Sequence, residues 1–198
     1  MTFEQIINQK QLTGRQNSQI GTLKKVHENF GFDSINIVET GCIRNPTENY
    51  KHGDGWSTLT WLLWANYTNS KIYTIDIDNE CLNIAKSVIG NEDKINFINK
   101  DSVKFLNELP GNFKIDLLFL DSYDWVGDSN NKMQSEVHQL NEIVYALPYL
   151  HKKSLVLLDD IYDEDGRTGK GHFSIPFLLS NGWKKIHYID TQVLFERV

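Results

Sequence analysis

The sequence predicts an α/β domain: a mostly parallel seven-stranded sheet, doubly wound by helices, with an antiparallel strand at its C-terminal end. Three observations lead there. Five short apolar runs alternate with longer segments of helical period. Those runs are continuously apolar rather than alternating, as strands covered on both faces require. Finally, WKKIHYID (183–190) and QVLFERV (192–198) lie too close together for a helical crossover, so they must pair as a hairpin.

The elements follow in order. SQIGTLKKVHENF (18–30) reads as a first helix, with Ser18 as its N-cap and Gly31 just past its end. Residues 1–34 are expected to form a helical segment packing on a single core domain of residues 35–198. INIVE (35–39), KIYTID (71–76), INFIN (95–99), IDLLFLD (115–121) and SLVLLDD (154–160) are the strand candidates. Between them, WSTLTWLLWANY places Leu59, Leu62 and Leu63 on one helical face, and NECLNIAKSVI does the same with Leu82, Ala85 and Ile89. In KMQSEVHQLNEIVYAL the apolar stripe is Val137, Leu140, Val144 and Leu147.

Composition narrows the function. The 198 residues are 40% hydrophobic and carry a net charge of −6 with no Lys/Arg block, which argues against nucleic acid as a partner. No apolar run is long enough to span a bilayer, and the N-terminus has neither a basic start nor an apolar core, so no membrane partner and a cytoplasmic location are expected. Cys42 and Cys81 are expected to be free, buried thiols.

In open α/β sheets, ligands bind beyond the carboxyl ends of the strands. Every one of the five strand exits carries an acidic residue: Glu39 before Gly41, Asp76, Asp101 beside Ser102, Asp121, and the pair Asp159–Asp160. Aspartates and serines also cap helices, so one such residue means little. Five exits together suggest a cation or a donor-rich ligand among them. Asp76, at the tip of the second strand, suits the two hydroxyls of a ribose.

The ordered series VETGC…GDGWSTL, IYTIDIDNECLNIAK, INKDSVKFL, IDLLFLDSYDW and LVLLDD resembles the motifs of class I S-adenosylmethionine-dependent methyltransferases, whose fold is Rossmann-like. Within that superfamily, LLFLDSYD and LVLLDD most resemble the metal-dependent small-molecule O-methyltransferases of the catechol and macrocin type. The resemblance implies S-adenosylmethionine as cofactor and a small-molecule hydroxyl as methyl acceptor, a sugar or secondary metabolite among the options. It places Glu39 and Gly41 beside the methionine part, Ser57 near the cofactor carboxylate, Asp76 at the ribose and Asp101 with Ser102 at the adenine edge, with Ile77 also among the cofactor-binding residues. It implies Mg²⁺ held by Asp121, Asp159 and Asp160, with Asp121 also bordering the cofactor. Such an ion would ease deprotonation of a bound hydroxyl.

The chain departs from that pattern in two places. About a dozen residues, IRNPTENYKHGDG, interrupt the first glycine turn and offer Arg44, Tyr50 and His52 to the cofactor or acceptor. Asp124 stands where the catechol type has a lysine base, leaving Asp124 and His172 as the catalytic candidates and Asp163 as a third. Tyr123 and Trp125 are expected near the site and the other tryptophans in the core. The loops 126–132 and 163–172 suit a gating role. A nicotinamide-dependent oxidoreductase and a non-catalytic binding module are the alternatives, and a homodimer stays open.

Overall fold

The computed structural model describes residues 2–7, 14–47, 56–90 and 92–198. Its elements are α1 (Phe3–Ile7), α2 (Gln16–Phe30), β1 (Asn36–Thr40), α3 (Ser57–Thr68), β2 (Lys71–Asp76), α4 (Asn79–Ile89) and β3 (Ile95–Asn99). They continue with α5 (Ser102–Asn107), β4 (Ile115–Leu120), α6 (Ser129–Ala146), β5 (Leu150–Leu158), α7 (Gly171–Ser180), β6 (Trp183–Ile189) and β7 (Gln192–Arg197). The strands form one sheet in the order β3-β2-β1-β4-β5-β7-β6. β1 to β5 run parallel, and β7 is antiparallel to both β5 and β6. The sheet is the one the sequence predicts.

Side chains alternate across the sheet into two cores, as strands buried on both faces must. Ile37, Leu117, Phe119, Leu155 and Leu157 pack with Leu23, Val26, Trp61 and Trp64 from α2 and α3. Val38, Leu118, Leu120, Val156 and Leu158 pack with Leu106, Ile143 and Leu178 from α5, α6 and α7. The second tryptophan expectation also holds, with Trp56, Trp61, Trp64 and Trp183 all buried.

Three local readings change. The α3 helix is buried on nearly every side, and its core face runs through Trp61, Trp64 and Ala65 rather than Leu59 and Leu63. In α6 half of the expected stripe is turned outward: Val137 and Val144 are exposed, Leu140 is half-buried, and Leu147 packs against the core just past the helix, while Ser135, Gln139, Glu142, Ile143 and Ala146 are buried. The buried face is polar because it meets the strand exits, where Ser135 Oγ donates to the Tyr123 carbonyl and Ser122 Oγ donates to Glu142.

Ser18 is not a cap. The α2 helix starts two residues earlier, and its free N–H groups are satisfied from the far end of the chain. Asn17 and Ser18 both donate to Asp190 Oδ2, at 3.0 and 3.2 Å, from the turn of the β6–β7 hairpin. Asp190 and Thr191 both have positive φ, the twist a two-residue hairpin turn requires. Asp190→Ala should therefore cost about 1–2 kcal/mol in denaturant unfolding. Asp190→Asn should cost clearly less, since the amide oxygen still accepts and asparagine tolerates this backbone.

Candidate functional site

The strand order reverses between β1 and β4, and their carboxyl ends splay beneath a cleft of about 400 Å³. Backbone bonds lock these exits together: Gly41 N donates to the Ile75 carbonyl, Asp121 N to the Thr40 carbonyl and Asp159 N to the Leu120 carbonyl. Gly41 has φ +83°, and a Cβ there would stand 2.5 Å from the Asp121 carbonyl oxygen. Only glycine lets β1 leave the sheet this close to β4.

Gly41, Arg44, Asp76, Ile77, Asp101, Ser102, Asp121 and Asp124 all line the cleft. Asp76 sits at the tip of β2, accepting from Asp78 N at 2.8 Å and from Cys42 Sγ at 3.3 Å. Ile77 is 73% exposed and forms an apolar wall beside it. Asp101 lines the cleft while also capping α5 through Lys104 N. Arg44 and Asp124 pair across the opening, with Nη1 at 2.7 and 2.6 Å from the two carboxylate oxygens.

Glu39 and Ser57, expected against the cofactor, are not on the cleft. Glu39 is fully buried and accepts from Ser57 Oγ, from Thr58 Oγ1 at 2.7 Å, from Thr74 Oγ1 at 3.0 Å and from Trp61 Nε1 at 3.1 Å. It ties α3 to β1 and β2 from below. Burial pushes its carboxyl up to about 7, against the pull of those four donors. His172 is exposed on the first turn of α7 with its ring against Phe173, away from the cleft. Asp163 instead shapes its own loop, accepting from the backbone N–H groups of Asp165, Arg167 and Thr168. Tyr50, His52 and Gly55 lie outside the described residues.

The two flanking loops are tied down rather than free. Asp128 caps α6, which takes up residues 129–132. Residues 163–170 are held by Asp163, by the Ile161–Gly169 bridge and by the Tyr162 N–H bond to the Thr168 carbonyl. Tyr123 lines the cleft; Trp125 does not, packing against Tyr162 and donating from Nε1 to Glu136. Cys42 and Cys81 are free but only half-buried, on the cleft wall, and burial raises both thiols.

Asp121, Asp159 and Asp160 do converge, with one oxygen from each lying within 4.8 Å of the others. Two cations that sequence reasoning missed sit among them. Lys170 Nζ is 3.2 Å from Asp121 Oδ1 and 3.0 Å from Asp160 Oδ2, and its side chain is fully buried. Arg15 Nε is 2.7 Å from Asp159 Oδ1, and its Nη2 is 3.1 Å from Asp160 Oδ1. Gln192 Nε2 donates to Asp159 Oδ2 at 2.8 Å. Burial opposes the Lys170 charge, but Asp121, Asp160 and Asp159 outweigh it and raise the pKa. Burial, and then Asp121, push Asp159 up to about 8, while Lys170 and Arg15 overcome burial to lower Asp160. Mg²⁺ binds to free, hard oxygens in near-octahedral array. Here those oxygens already hold an ammonium and a guanidinium, so the trio as built does not fit the ion.

His138 was also missed. It borders the cleft, bonds Ser102 Oγ at 2.9 Å and lies 3.6 Å from buried Glu142, whose charge outweighs burial and raises the imidazole pKa. A shallower depression beside it is lined by Tyr123, Met133 and Val137 and takes in part of the outward apolar face of α6. No local pattern flags Arg15 or Lys170, because each is defined by partners on other elements; His138 has a local partner in Glu142, four residues on in α6, but its bond to Ser102 and its place at the cleft come from the tertiary fold.

Comparison with known proteins agrees with this architecture. Residues 51–161, more than half of the chain, match the model of a methyltransferase domain family. The chain belongs to that family, and its fold is that of the class I S-adenosylmethionine-dependent methyltransferases. A search of curated proteins gave no match. Among solved structures, a putative caffeoyl-CoA O-methyltransferase from Staphylococcus aureus is similar at 13% identity and TM-score 0.62, covering 100% of this chain and 93% of that one. The N-methyltransferase NodS from Bradyrhizobium japonicum, with S-adenosyl-L-homocysteine, is similar at 10% identity and TM-score 0.58, over 98% and 96% of the two chains. MycE, the methyltransferase of the mycinamycin biosynthetic pathway in complex with Mg, SAH and mycinamycin VI, is similar at 16% identity and TM-score 0.59. That match covers 89% of this chain, which spans about half (48%) of MycE. Among the described residues no helix is long and apolar enough to cross a membrane.

The raised Glu39 carboxyl has a measurable consequence. Between about pH 4.5 and 7 the folded chain holds a proton that the unfolded chain has released, so stability falls as pH rises through that window. The full shift corresponds to roughly 3 kcal/mol. Chemical unfolding at pH 5 and pH 8 should show this loss, and Glu39→Gln should make it smaller by about that amount, leaving the part that the raised Asp159 carboxyl contributes in the same direction.

Proposed function

We propose that this domain transfers the methyl group of S-adenosylmethionine to a hydroxyl oxygen of a small-molecule acceptor. The observation that carries the reading is the cleft at the β1/β4 reversal, with Asp76 and Ile77 at one end and Asp121 and Asp124 at the other. A carboxylate at a strand tip accepts both hydroxyls of a ribose, and the exposed Ile77 side chain gives the adenine an apolar surface. Asp101 and Ser102 lie where the adenine edge would come. Gly41 leaves its backbone open to close approach by the methionine part.

Toward Asp124 the cleft is suited to the acceptor. As the acceptor oxygen forms its bond to the methyl carbon, the carbon–sulfur bond breaks and the sulfonium becomes a neutral sulfide. The acceptor's proton must leave, and Asp124 is the candidate carboxylate that faces the cleft. Arg44, bonded to both of its oxygens, fixes its orientation. Mg²⁺ does not fit the aspartate trio, whose oxygens are held by Lys170 and Arg15, so the proton falls to Asp124. The putative caffeoyl-CoA O-methyltransferase among the similar structures supports the hydroxyl reading, and the N-methyltransferase NodS makes an amine acceptor the outcome to test against it.

Calorimetry with S-adenosyl-L-homocysteine is the first check. Asp76→Ala should weaken binding about tenfold or more, the loss of a charge-assisted hydrogen-bond pair. Asp124→Asn should bind S-adenosyl-L-homocysteine as the unaltered chain does. If S-adenosyl-L-homocysteine does not bind, or Asp76→Ala binds it equally well, the reading is wrong.

A further inference from the structure

We propose that Lys170 and Arg15 are the resident cations of the Asp121–Asp159–Asp160 cluster, so that this chain holds no divalent metal at the place where its resemblance implies one. The inference rests on the cluster's geometry and does not depend on which acceptor is methylated. Among the described residues, five of the six carboxylate oxygens already have a cation or donor. Asp121 Oδ1 and Asp160 Oδ2 face Lys170 Nζ. Asp159 Oδ1 faces Arg15 and the Asp160 N–H, Asp159 Oδ2 accepts from Gln192, and Asp160 Oδ1 faces Arg15 and the Tyr162 hydroxyl. A divalent ion would have to displace the ammonium and the guanidinium or share the same oxygens with them at short range, and like charges at that separation repel strongly.

Displacement is opposed by how Lys170 is held. Its side chain is fully buried, and its backbone N–H donates to the Asp160 carbonyl at 3.0 Å. The preceding Gly169 has φ +103°, and a Cβ there would come within 2.0 Å of the same carbonyl oxygen. Ile161 pairs with Gly169, and the Ile161 N–H is bonded to the Thr191 carbonyl in the hairpin turn. The loop is therefore fastened on both sides of the cluster it serves, and moving the ammonium out would strand a charge in a dry wall. Arg15 is fixed from the other direction, since the start of its helix is capped by Asp190 from that hairpin turn. A cluster built for a metal would keep its oxygens free and its nearby cations solvated; this one has a rigid backbone device for delivering a lysine.

The test is direct metal binding. Chelator-treated protein is titrated with Mn²⁺ while free Mn²⁺ is followed by electron paramagnetic resonance, and its melting temperature is measured with and without Mg²⁺. The unaltered chain should leave the Mn²⁺ signal that of the free ion, and Mg²⁺ should not shift its melting temperature. Lys170→Ala, which frees two carboxylate oxygens, should gain about tenfold or more in Mn²⁺ affinity; if it does not fold alone, added Mn²⁺ should restore folding. Stoichiometric Mn²⁺ binding by the unaltered chain that is lost in Asp159→Asn would overturn the proposal. So would a folded Lys170→Ala that binds Mn²⁺ no better than its parent. Because S-adenosyl-L-homocysteine binding is measured separately, failure here leaves the methyltransferase reading intact, and the reverse also holds.

Discussion

Three carboxylates packed at the ends of β4 and β5, with Asp159 wholly buried, are tolerable only if positive charge is brought to them. Burying such groups unpaired costs several kcal/mol each. Neither strand can supply the charge, since the sheet interior there is aliphatic. It comes from opposite ends of the chain: Arg15 from the turn before α2 and Lys170 from the loop before α7. Much of the C-terminal half of the fold is arranged around that delivery. The β6–β7 turn caps α2, holds Ile161 and leads into Gln192, which completes the Asp159 shell.

The same turn explains why the antiparallel β7 matters to the site. By inserting between β5 and β6, it brings residues 190–192 beside Asp159. On the other side of the sheet reversal, Glu39 plays a comparable part without charge compensation. It stays buried because four donors converge on it, two of them from the first turn of α3. The cleft thus lies between two polar supports: an ion cluster under the β4 and β5 exits and a hydrogen-bonded carboxylate under the β1 exit.

Membership of the methyltransferase domain family and the fold agree with the strand-exit motifs read in order. The cleft-lining residues Asp76, Asp101 and Ser102 were legible for the same reason: they mark strand ends, where the sequence changes from aliphatic to polar residues; Ile77 was legible only through the family resemblance. Glu39 and Ser57 were legible as polar residues near the first turn but not as partners of each other. His172 attracted notice as a histidine in a glycine-bearing loop. The side chain that reaches inward from that loop is Lys170, two residues earlier.

By itself the sequence determined the alternation of strands and helices, the hairpin at the end and the acidic residue at each strand exit. These depend on local periodicity and on chain length between elements, which a linear reading contains. Tertiary structure decided which face of α6 is buried, what caps α2, and what neutralises Asp121, Asp159 and Asp160. Each of those depends on residues more than a hundred positions apart or on opposing elements, as Arg15 does with Asp160 and Asn17 with Asp190. A polar residue is buried or exposed according to the partner it meets, and the partner is known only once the sheet has closed around it.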